Sequence, residues 1–266
     1  MSVLNHIQFV PELAGCVGVE REYFLWQEPS LVSADWTERG MYGEPVPAAQ
    51  AFFQAMRGLD PEGRWTHELS ACQAEYRTEP HRAGEGLVAD LARGARQGQS
   101  VAESLGLVLR SDEVAPEHMP LDYYADDPRY AEIALMLPEE VLRAACRVAS
   151  VQLHYGCADI EHAIRVHGAL VRHWKELERM GDGSNGERLR LYRLMAKHWE
   201  PVVYRSVAHF EEVAEEQGFA ENLKNCWQLV RISRHGTVEL RMFGNTDSIA
   251  RILEWVRAML SIVKET

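Results

Sequence analysis

Hydrophobic and polar residues alternate along several short segments of the chain, and this period of two predicts β-strands. The clearest case is residues 16–26, CVGVEREYFLW. In a strand, Glu20 and Glu22 would share one face, while the apolar Val19 and Leu25 would lie on the other. Further strands are predicted in five segments: 64–79 (one bent strand or a pair), 105–111, 149–158, 226–233 and 236–243, the last two forming a hairpin.

Apolar residues at helical spacing predict most of the remaining elements. A loop containing Pro29, Pro45 and Pro47 follows the first strand. The acidic segment 112–128 has no period and predicts a long loop, which is either a lid over a site or an ordinary surface loop. This order of elements favours one α+β domain over residues 1–266, with a mainly antiparallel sheet and helices on one side. Helices are predicted over 48–56, 85–105, 129–148, 159–180, 185–217 and 247–264.

Composition narrows the class of protein. The 266-residue chain has 40 acidic and 28 basic residues, and its net charge of −12 argues against a general nucleic-acid binder, which needs a basic surface. The apolar runs are too short to span a bilayer, and the first residues lack the pattern of a secretory signal. The five cysteines form no CxxC pair, which favours reduced thiols. We therefore expect a cytoplasmic protein with neither a nucleic-acid nor a membrane partner.

Acidic and other polar residues recur on one face of four predicted strand segments. If these faces line one sheet, they form a strongly anionic trough. Such a trough is costly unless cations occupy it, and Mg²⁺ or Mn²⁺ suits carboxylates combined with an imidazole. The residues concerned are Glu20 with Glu22, Glu68 with Glu75, Gln152 with His154, and Glu239 with Arg241.

Plainer interpretations of these residues stay open at this stage. Two glutamates two positions apart are typical of a solvent-exposed edge strand. Arg21, Arg77 or Arg241 would neutralise an acid in an ordinary ion pair. A lone histidine such as His154 is more often a core residue than a ligand. The combination of residues on several strands is what favours a metal site.

The same stretches resemble motifs of the glutamine synthetase and glutamate–cysteine ligase superfamily of carboxylate–amine ligases. GVEREYFL is similar to the first-strand G-x-E-x-E-[FY] motif, and THELSACQAEYRTEP to the second segment with its two spaced glutamates. SVQLHYG resembles the H-x-H-x-G strand, with Gln152 in place of the first histidine, and GTVELRMF the closing T-[IV]-E-x-R strand. The motifs occur in the family's order, and the closest resemblance is to the second type of glutamate–cysteine ligase and to amidoligase relatives.

This resemblance implies both a fold and a set of residue roles. The fold is the glutamine synthetase-like catalytic fold, a curved, mainly antiparallel sheet with helices on its outer side. Glu20, Glu68 and Arg241 would be catalytic, and Gln152 and Arg241 would lie at the nucleotide, with Arg241 at the phosphate. Divalent metals would be held by Glu20, Glu22, Glu68, Glu75, His154 and Glu239.

Three arginines outside these motifs are candidates for binding a substrate carboxylate. Arg77, Arg82 and Arg129 each carry a guanidinium that can form a bidentate pair with a carboxylate. Ordinary surface ion pairs are the alternative for all three.

The resemblance also implies an activity, an ATP-dependent ligase with Mg²⁺ or Mn²⁺. A substrate carboxylate would be phosphorylated to an acyl phosphate, and an amine would then attack it to form an amide, γ-glutamyl or peptide bond. Small amino acids or peptides would be the partners, and a homo-oligomer is left open. Because Gln152 replaces a histidine and the family's serine-rich segment after VHGAL is missing, a binding or regulatory protein on a retired ligase scaffold stays open. A metal-dependent phosphotransferase of related fold, which would transfer phosphate without forming an amide, is the third possibility.

Overall fold

The computed structural model describes residues 2–28 and 43–265, in which eight strands form one sheet. The first predicted strand is confirmed and has 11 residues, and the segment 64–79 is a pair of strands. Most of the predicted loop with Pro29 lies outside the described residues. The strands are β1 (Val17–Gln27), β2 (Glu44–Pro45), β3 (Trp65–His67), β4 (Gln73–Arg77), β5 (Val108–Arg110), β6 (Val151–Gly156), β7 (Val230–Ile232) and β8 (Thr237–Leu240).

Strand β1 lies at the centre of this sheet. The strand order is β3-β4-β1-β6-β8-β7, and β2 and β5 also pair with β1. Each of these pairings is antiparallel, as predicted, and β7 and β8 form the predicted hairpin. Because β4 and β6 flank β1, Glu20 and Glu22 do not lie on an exposed edge strand, and that interpretation is wrong.

Nine α-helices occur in the described part of the chain, and three predicted helices are each split into two. The predicted helix over 129–148 is interrupted at Pro138, which cannot continue the hydrogen bonding of the first helix and begins the next one. The predicted helix over 159–180 is interrupted at His173. The helices are α1 (Ala49–Met56), α2 (Glu85–Ser104), α3 (Pro128–Met136), α4 (Glu139–Arg147), α5 (Ile160–Arg172), α6 (Trp174–Gly181), α7 (Glu187–Met195), α8 (Val207–Gln217) and α9 (Ile249–Val263).

The prediction of one helix over 185–217 is wrong, because the middle of this segment is not helical. Residues 196–205 form no helix and include Pro201, which lacks a backbone N–H donor. Ser206 then caps α8, because its hydroxyl accepts a hydrogen bond from the backbone N–H of His209 at 3.1 Å. These local signals separate α7 from α8.

Helices α2, α5 and α9 cover the outer face of the sheet, as predicted. Val19, Leu153 and Leu240 are buried on this face in a core shared with α2, α5 and α9. Helix α2 approaches the sheet so closely that a Cβ on Gly94 would lie 2.3 Å from the ring of Tyr76. Only glycine is compatible with this contact, which brings the helix backbone directly onto the sheet.

The inner face of the sheet is divided into an apolar and a polar part. At one end, Phe24 and Trp26 pack against α4 and the segment 112–128. That segment is irregular, as predicted, and it is attached to the β3–β4 connection by a hydrogen bond from the Tyr124 N–H to the Leu69 carbonyl at 2.9 Å. The polar part of the inner face is the region where the predicted site residues meet.

All five cysteines are buried and have free thiols, in agreement with the expected reduced state. Burial raises the pKa of the Cys72 and Cys146 thiols to about 12, so both are neutral at neutral pH. Among the described helices, none is long and apolar enough to cross a membrane.

Candidate active site

The inner face of the sheet collects polar side chains from β1, β4, β6, β7 and β8. Residues that lie opposite each other on neighbouring strands point to the same face, and so do residues two apart on one strand. The strand register therefore places the predicted site residues together. The cross-strand pairs are Glu22–Glu75, Glu20–Gln152, His154–Glu239 and Glu239–Arg231.

These side chains form two separate groups of possible metal ligands. In each group, three ligand atoms lie within 4.8 Å of one another. Glu68 joins its group from the turn after β3, while the other members come from strands. We call Glu20, His154 and Glu239 the histidine cluster, and Glu22, Glu68 and Glu75 the carboxylate cluster.

The imidazole of the histidine cluster is oriented toward the acids. Its Nδ1 lies 2.8 Å from the hydroxyl of Thr237, which holds the ring. Its Nε2 is buried, lies 3.5 Å from a carboxylate oxygen of Glu20 and has no hydrogen-bond partner in the described residues. Burial opposes a charge on His154, but Glu20 and Glu239 outweigh it and raise the pKa of the imidazole.

Two arginines compensate the negative charge of the histidine cluster. Arg231 donates through Nε to Glu239 at 2.8 Å, and Arg241 donates through Nη1 to the other Glu239 oxygen at 2.6 Å. Burial disfavours the carboxylate, but Arg231 and Arg241 outweigh it and lower the pKa of Glu239. Burial likewise opposes ionisation of Glu20, yet His154 lowers the pKa of this carboxyl. The two carboxylates of this cluster are therefore ionised at neutral pH and lie beside cationic partners or His154.

The carboxylate cluster lacks this compensation. Burial raises the pKa of Glu22 to about 8, and the charge of Glu68 adds to the effect. Burial and the nearby charges of Glu20 and Glu68 raise the pKa of Glu75 well above its ordinary value, and burial also raises that of Glu68. Arg77 is the cation that pairs with this cluster, and its Nε lies 3.8 Å from Glu75. The cluster thus retains protons that a metal ion would displace.

Gln152 lies between the two clusters. Its Nε2 donates to Glu22 at 2.8 Å, and its Oε1 accepts from Arg241 Nη1 at 2.9 Å. The second carboxylate oxygen of Glu22 accepts the backbone N–H of Ser150 at 2.7 Å. Arg241 also donates through Nε to the hydroxyl of Tyr192 at 3.3 Å. The amide oxygen that was expected at a nucleotide or metal is thus directed at Arg241.

The three predicted carboxylate-binding arginines lie at different places around the site. Arg77 lies opposite Glu20 in the sheet and donates to the carbonyl of Gly63 at 3.2 Å. Arg82 is exposed. Arg129 is also exposed, with its guanidinium 5.5 Å from the ring centroid of Tyr130. Of the three, only Arg77 pairs with a cluster residue.

Several residues of the site were missed by the sequence reasoning. The sequence contains the information needed to find Arg231, because a hairpin with a short turn places this residue opposite Glu239 and therefore on the same face. Thr237, which holds His154, lies two residues before Glu239 on β8 and had the same signal. No sequence pattern identifies Tyr192, because it contacts Arg241 from helix α7 and lies 49 residues away in sequence.

Comparison with known proteins defines first the fold and then the family. The chain has the fold of the glutamine synthetase from Plasmodium falciparum, with a TM-score of 0.50 and 9% identity over 94% of this chain and 52% of that chain. A bifunctional glutathione synthetase from Pasteurella multocida aligns with a TM-score of 0.57 and 13% identity over 94% of this chain and 39% of that chain. The sheet and helices are therefore a glutamine synthetase-like α+β catalytic fold, as predicted, and the chain spans about half or less of these two structures.

The family follows from the sequence itself. The model of glutamate-cysteine ligase family 2 matches residues 16–176, which is more than half of the chain, and the chain belongs to this family. None of the curated proteins matches the chain significantly in sequence. Membership points to a ligase and confirms the resemblance found in the motifs.

Proposed function

We propose that the protein is an ATP-dependent carboxylate–amine ligase that forms an amide bond through an acyl phosphate. The observation that carries this proposal is the pair of three-residue ligand clusters side by side on the inner face of the sheet, joined by Arg241 and Gln152. Two adjacent divalent-ion sites next to a guanidinium form an arrangement suited to phosphoryl transfer. The family and the fold support the same reading.

The donor set of both clusters fits divalent cations. Carboxylate oxygens with one imidazole suit Mg²⁺ or Mn²⁺, and the buried Nε2 of His154 without a partner is an available ligand atom. In the carboxylate cluster, the raised pKa of Glu22 and Glu75 shows how unfavourable three acids are without a cation. We assign the metal-ligand role to both clusters in full.

The chain's own groups bind and orient the reactants. When bound, the metals and ATP would supply charge neutralisation and the transferable phosphoryl group. Arg241 is fixed by Glu239, Gln152 and Tyr192, and within the described residues no acceptor bonds its Nη2. That free nitrogen is the group that we assign to the transferred phosphoryl oxygen. Glu20 and Glu68 act as the catalytic carboxylates by holding the metals in place.

The substrates that we propose are a small amino acid or peptide as the acid, and an amine. Arg77 is the first candidate for the substrate carboxylate because it already lies beside Glu75. Arg129 follows, since it lies next to Tyr130, whose pKa is raised by burial and then by the nearby charges of Glu68 and Glu75. The exposed Arg82 is retained as the third candidate.

Phosphate release from Mg·ATP over a panel of amino acids and amines tests this function, with wild type and Glu20→Gln compared. A ligase requires both an acid and an amine for phosphate release, and the Glu20→Gln variant loses this release. Release of a stable phosphorylated product without an amine would instead indicate a phosphotransferase. If Mg²⁺-dependent ATP binding is also absent, the enzyme proposal fails and the binding or regulatory scaffold remains.

A further inference from the structure

We propose that Gln152 is a positioning residue that links the two clusters and fixes the guanidinium of Arg241 between them. Its side chain is 5% exposed and makes one hydrogen bond toward each cluster. A continuous chain of hydrogen bonds therefore runs from Glu22 through Gln152 and Arg241 to Glu239. The inference rests on the proposed function only in that Arg241 contacts the nucleotide phosphate.

The chemistry of an amide suits this place better than any charged side chain does. The amide donates to the carboxylate of Glu22 with its NH₂ group and accepts from the guanidinium of Arg241 with its oxygen. A glutamate at position 152 would repel Glu22, and a lysine, arginine or imidazolium would repel Arg241. The amide of Gln152 does not itself titrate, so its own donor and acceptor stay the same as the pH changes.

The same geometry argues against Gln152 as a metal ligand. The side-chain atom of Gln152 that could bind a metal is Oε1, and this oxygen accepts the hydrogen bond from Arg241 at 2.9 Å. Arg241 donates through the same Nη1 to both Gln152 and Glu239. The guanidinium is thus held by Glu239 of the histidine cluster and by Gln152, whose own amide donates to Glu22 of the carboxylate cluster.

A double-mutant cycle in the metal-free protein tests the link directly. Urea unfolding is measured for Gln152→Met, Arg241→Met and the double variant. We expect the two substitutions to be coupled. The fold-change in the unfolding constant of the double variant should differ about tenfold from the product of the fold-changes of the two single variants. The matched control is Gln73→Met, since Gln73 is a buried glutamine of the same sheet, on β4, whose amide donates to the Val148 carbonyl instead. Gln73→Met should be additive with Arg241→Met, and additivity in the Gln152 cycle as well would overturn the proposal.

Two ligand measurements separate positioning from other roles. In Mn²⁺ titrations, Gln152→Met should bind as many ions as wild type, and loss of an ion would make Gln152 a ligand and overturn the assignment.

The second measurement is the affinity for Mg·ATP. Gln152→Met should bind Mg·ATP about tenfold more weakly than wild type, and the double variant should bind it no more weakly than Arg241→Met alone. If wild type binds neither probe, the proposed function fails, and the unfolding cycle still decides the role of Gln152.

Should Gln152→Met fail to fold, Gln152→Asn replaces it in the cycle. Asparagine keeps the amide but is one methylene shorter, so it reaches only one of the two partners. The effects of Gln152→Asn and Arg241→Met on the unfolding constant should therefore be non-additive by several-fold. Additive effects in this cycle would contradict the bridging role.

Discussion

The two ligand clusters contain the same number of side chains but differ in how their charge is balanced. In the histidine cluster, Arg231 and Arg241 bond Glu239, and His154 lies beside Glu20. In the carboxylate cluster, three acids meet with one long ion pair to Arg77. The first cluster is stable without a metal because it contains its own cations. The second holds protons instead, so its charge balance depends on what binds there.

This difference indicates that the clusters respond in opposite ways when an acid is neutralised. Removing a charge from the histidine cluster leaves two largely buried guanidinium groups without their partner. In the carboxylate cluster, a neutral amide removes the cost of protonating a buried acid beside other acids. The same substitution, glutamate to glutamine, therefore separates the two regions.

The largest effect is expected for Glu239→Gln. Because Arg231 and Arg241 both pair with Glu239, the variant should lose about 3–5 kcal/mol of unfolding free energy, the cost of breaking a buried ion pair. Urea unfolding in the absence of metal measures this change. The matching variant in the carboxylate cluster is Glu75→Gln. Equal destabilisation of the two variants would contradict the proposed difference between the clusters.

The pH dependence of metal-free stability should come mainly from the carboxylate cluster. The pKa of Glu22 in the folded state is about 8, above its ordinary value of 4.5. Between these two pH values, the folded protein therefore keeps a proton on Glu22 that the unfolded chain has lost. Its contribution is complete below about pH 4.5 and is lost as the pH rises toward 8, by roughly 2–4 kcal/mol. Unfolding curves across this range measure the loss, and Glu22→Gln should flatten the profile. An unchanged slope in that variant would contradict the assignment.

A smaller effect of opposite sign is expected for Glu75→Gln. Because the pKa of Glu75 is raised by burial and by its acidic neighbours, a neutral amide should stabilise the metal-free protein by about 1–2 kcal/mol at neutral pH. The variant should also lose most of the thermal stabilisation that Mg²⁺ gives to wild type. Thermal unfolding with and without Mg²⁺ measures both effects. Destabilisation of the metal-free variant is the result that would reject this view of the cluster.

The smallest effect is expected for Thr237→Val. Thr237 holds Nδ1 of His154, and loss of such a support typically weakens metal binding about tenfold. Mn²⁺ affinity should fall at the histidine cluster and stay unchanged at the carboxylate cluster, which serves as the internal control. An equal loss at both clusters would mean that Thr237 acts on the fold as a whole.

Much of this arrangement could be predicted from the sequence because the signals are local. The alternation in CVGVEREYFLW gives strand β1 and places Glu20 and Glu22 on one face. The division into two clusters could not be predicted, because it depends on which neighbour each glutamate meets. Glu20 meets His154 on β6, and Glu22 meets Glu75 on β4, and both contacts are set by the register of the whole sheet.

The errors in the predicted helices have a different origin. The amphipathic pattern continues past Pro138 and Pro201 and therefore predicts unbroken helices there. Proline ends a helix regardless of this pattern, because it lacks a backbone N–H donor. The contact between Tyr192 of α7 and Arg241 of the sheet has another origin, because it joins elements that are distant in sequence. Contacts between elements far apart in sequence need the packed structure, and no periodicity reveals them.

Counting the Mn²⁺ ions bound per chain tests the central claim most directly. Titration followed by electron paramagnetic resonance should give two ions for wild type, one for Glu75→Gln and one for a folded Glu20→Gln variant. The ion retained in each variant should report a different ligand set, with imidazole nitrogen coupling seen in Glu75→Gln. One ion or none in wild type, or identical ligand signatures in the two variants, would contradict two separate metal sites on this sheet.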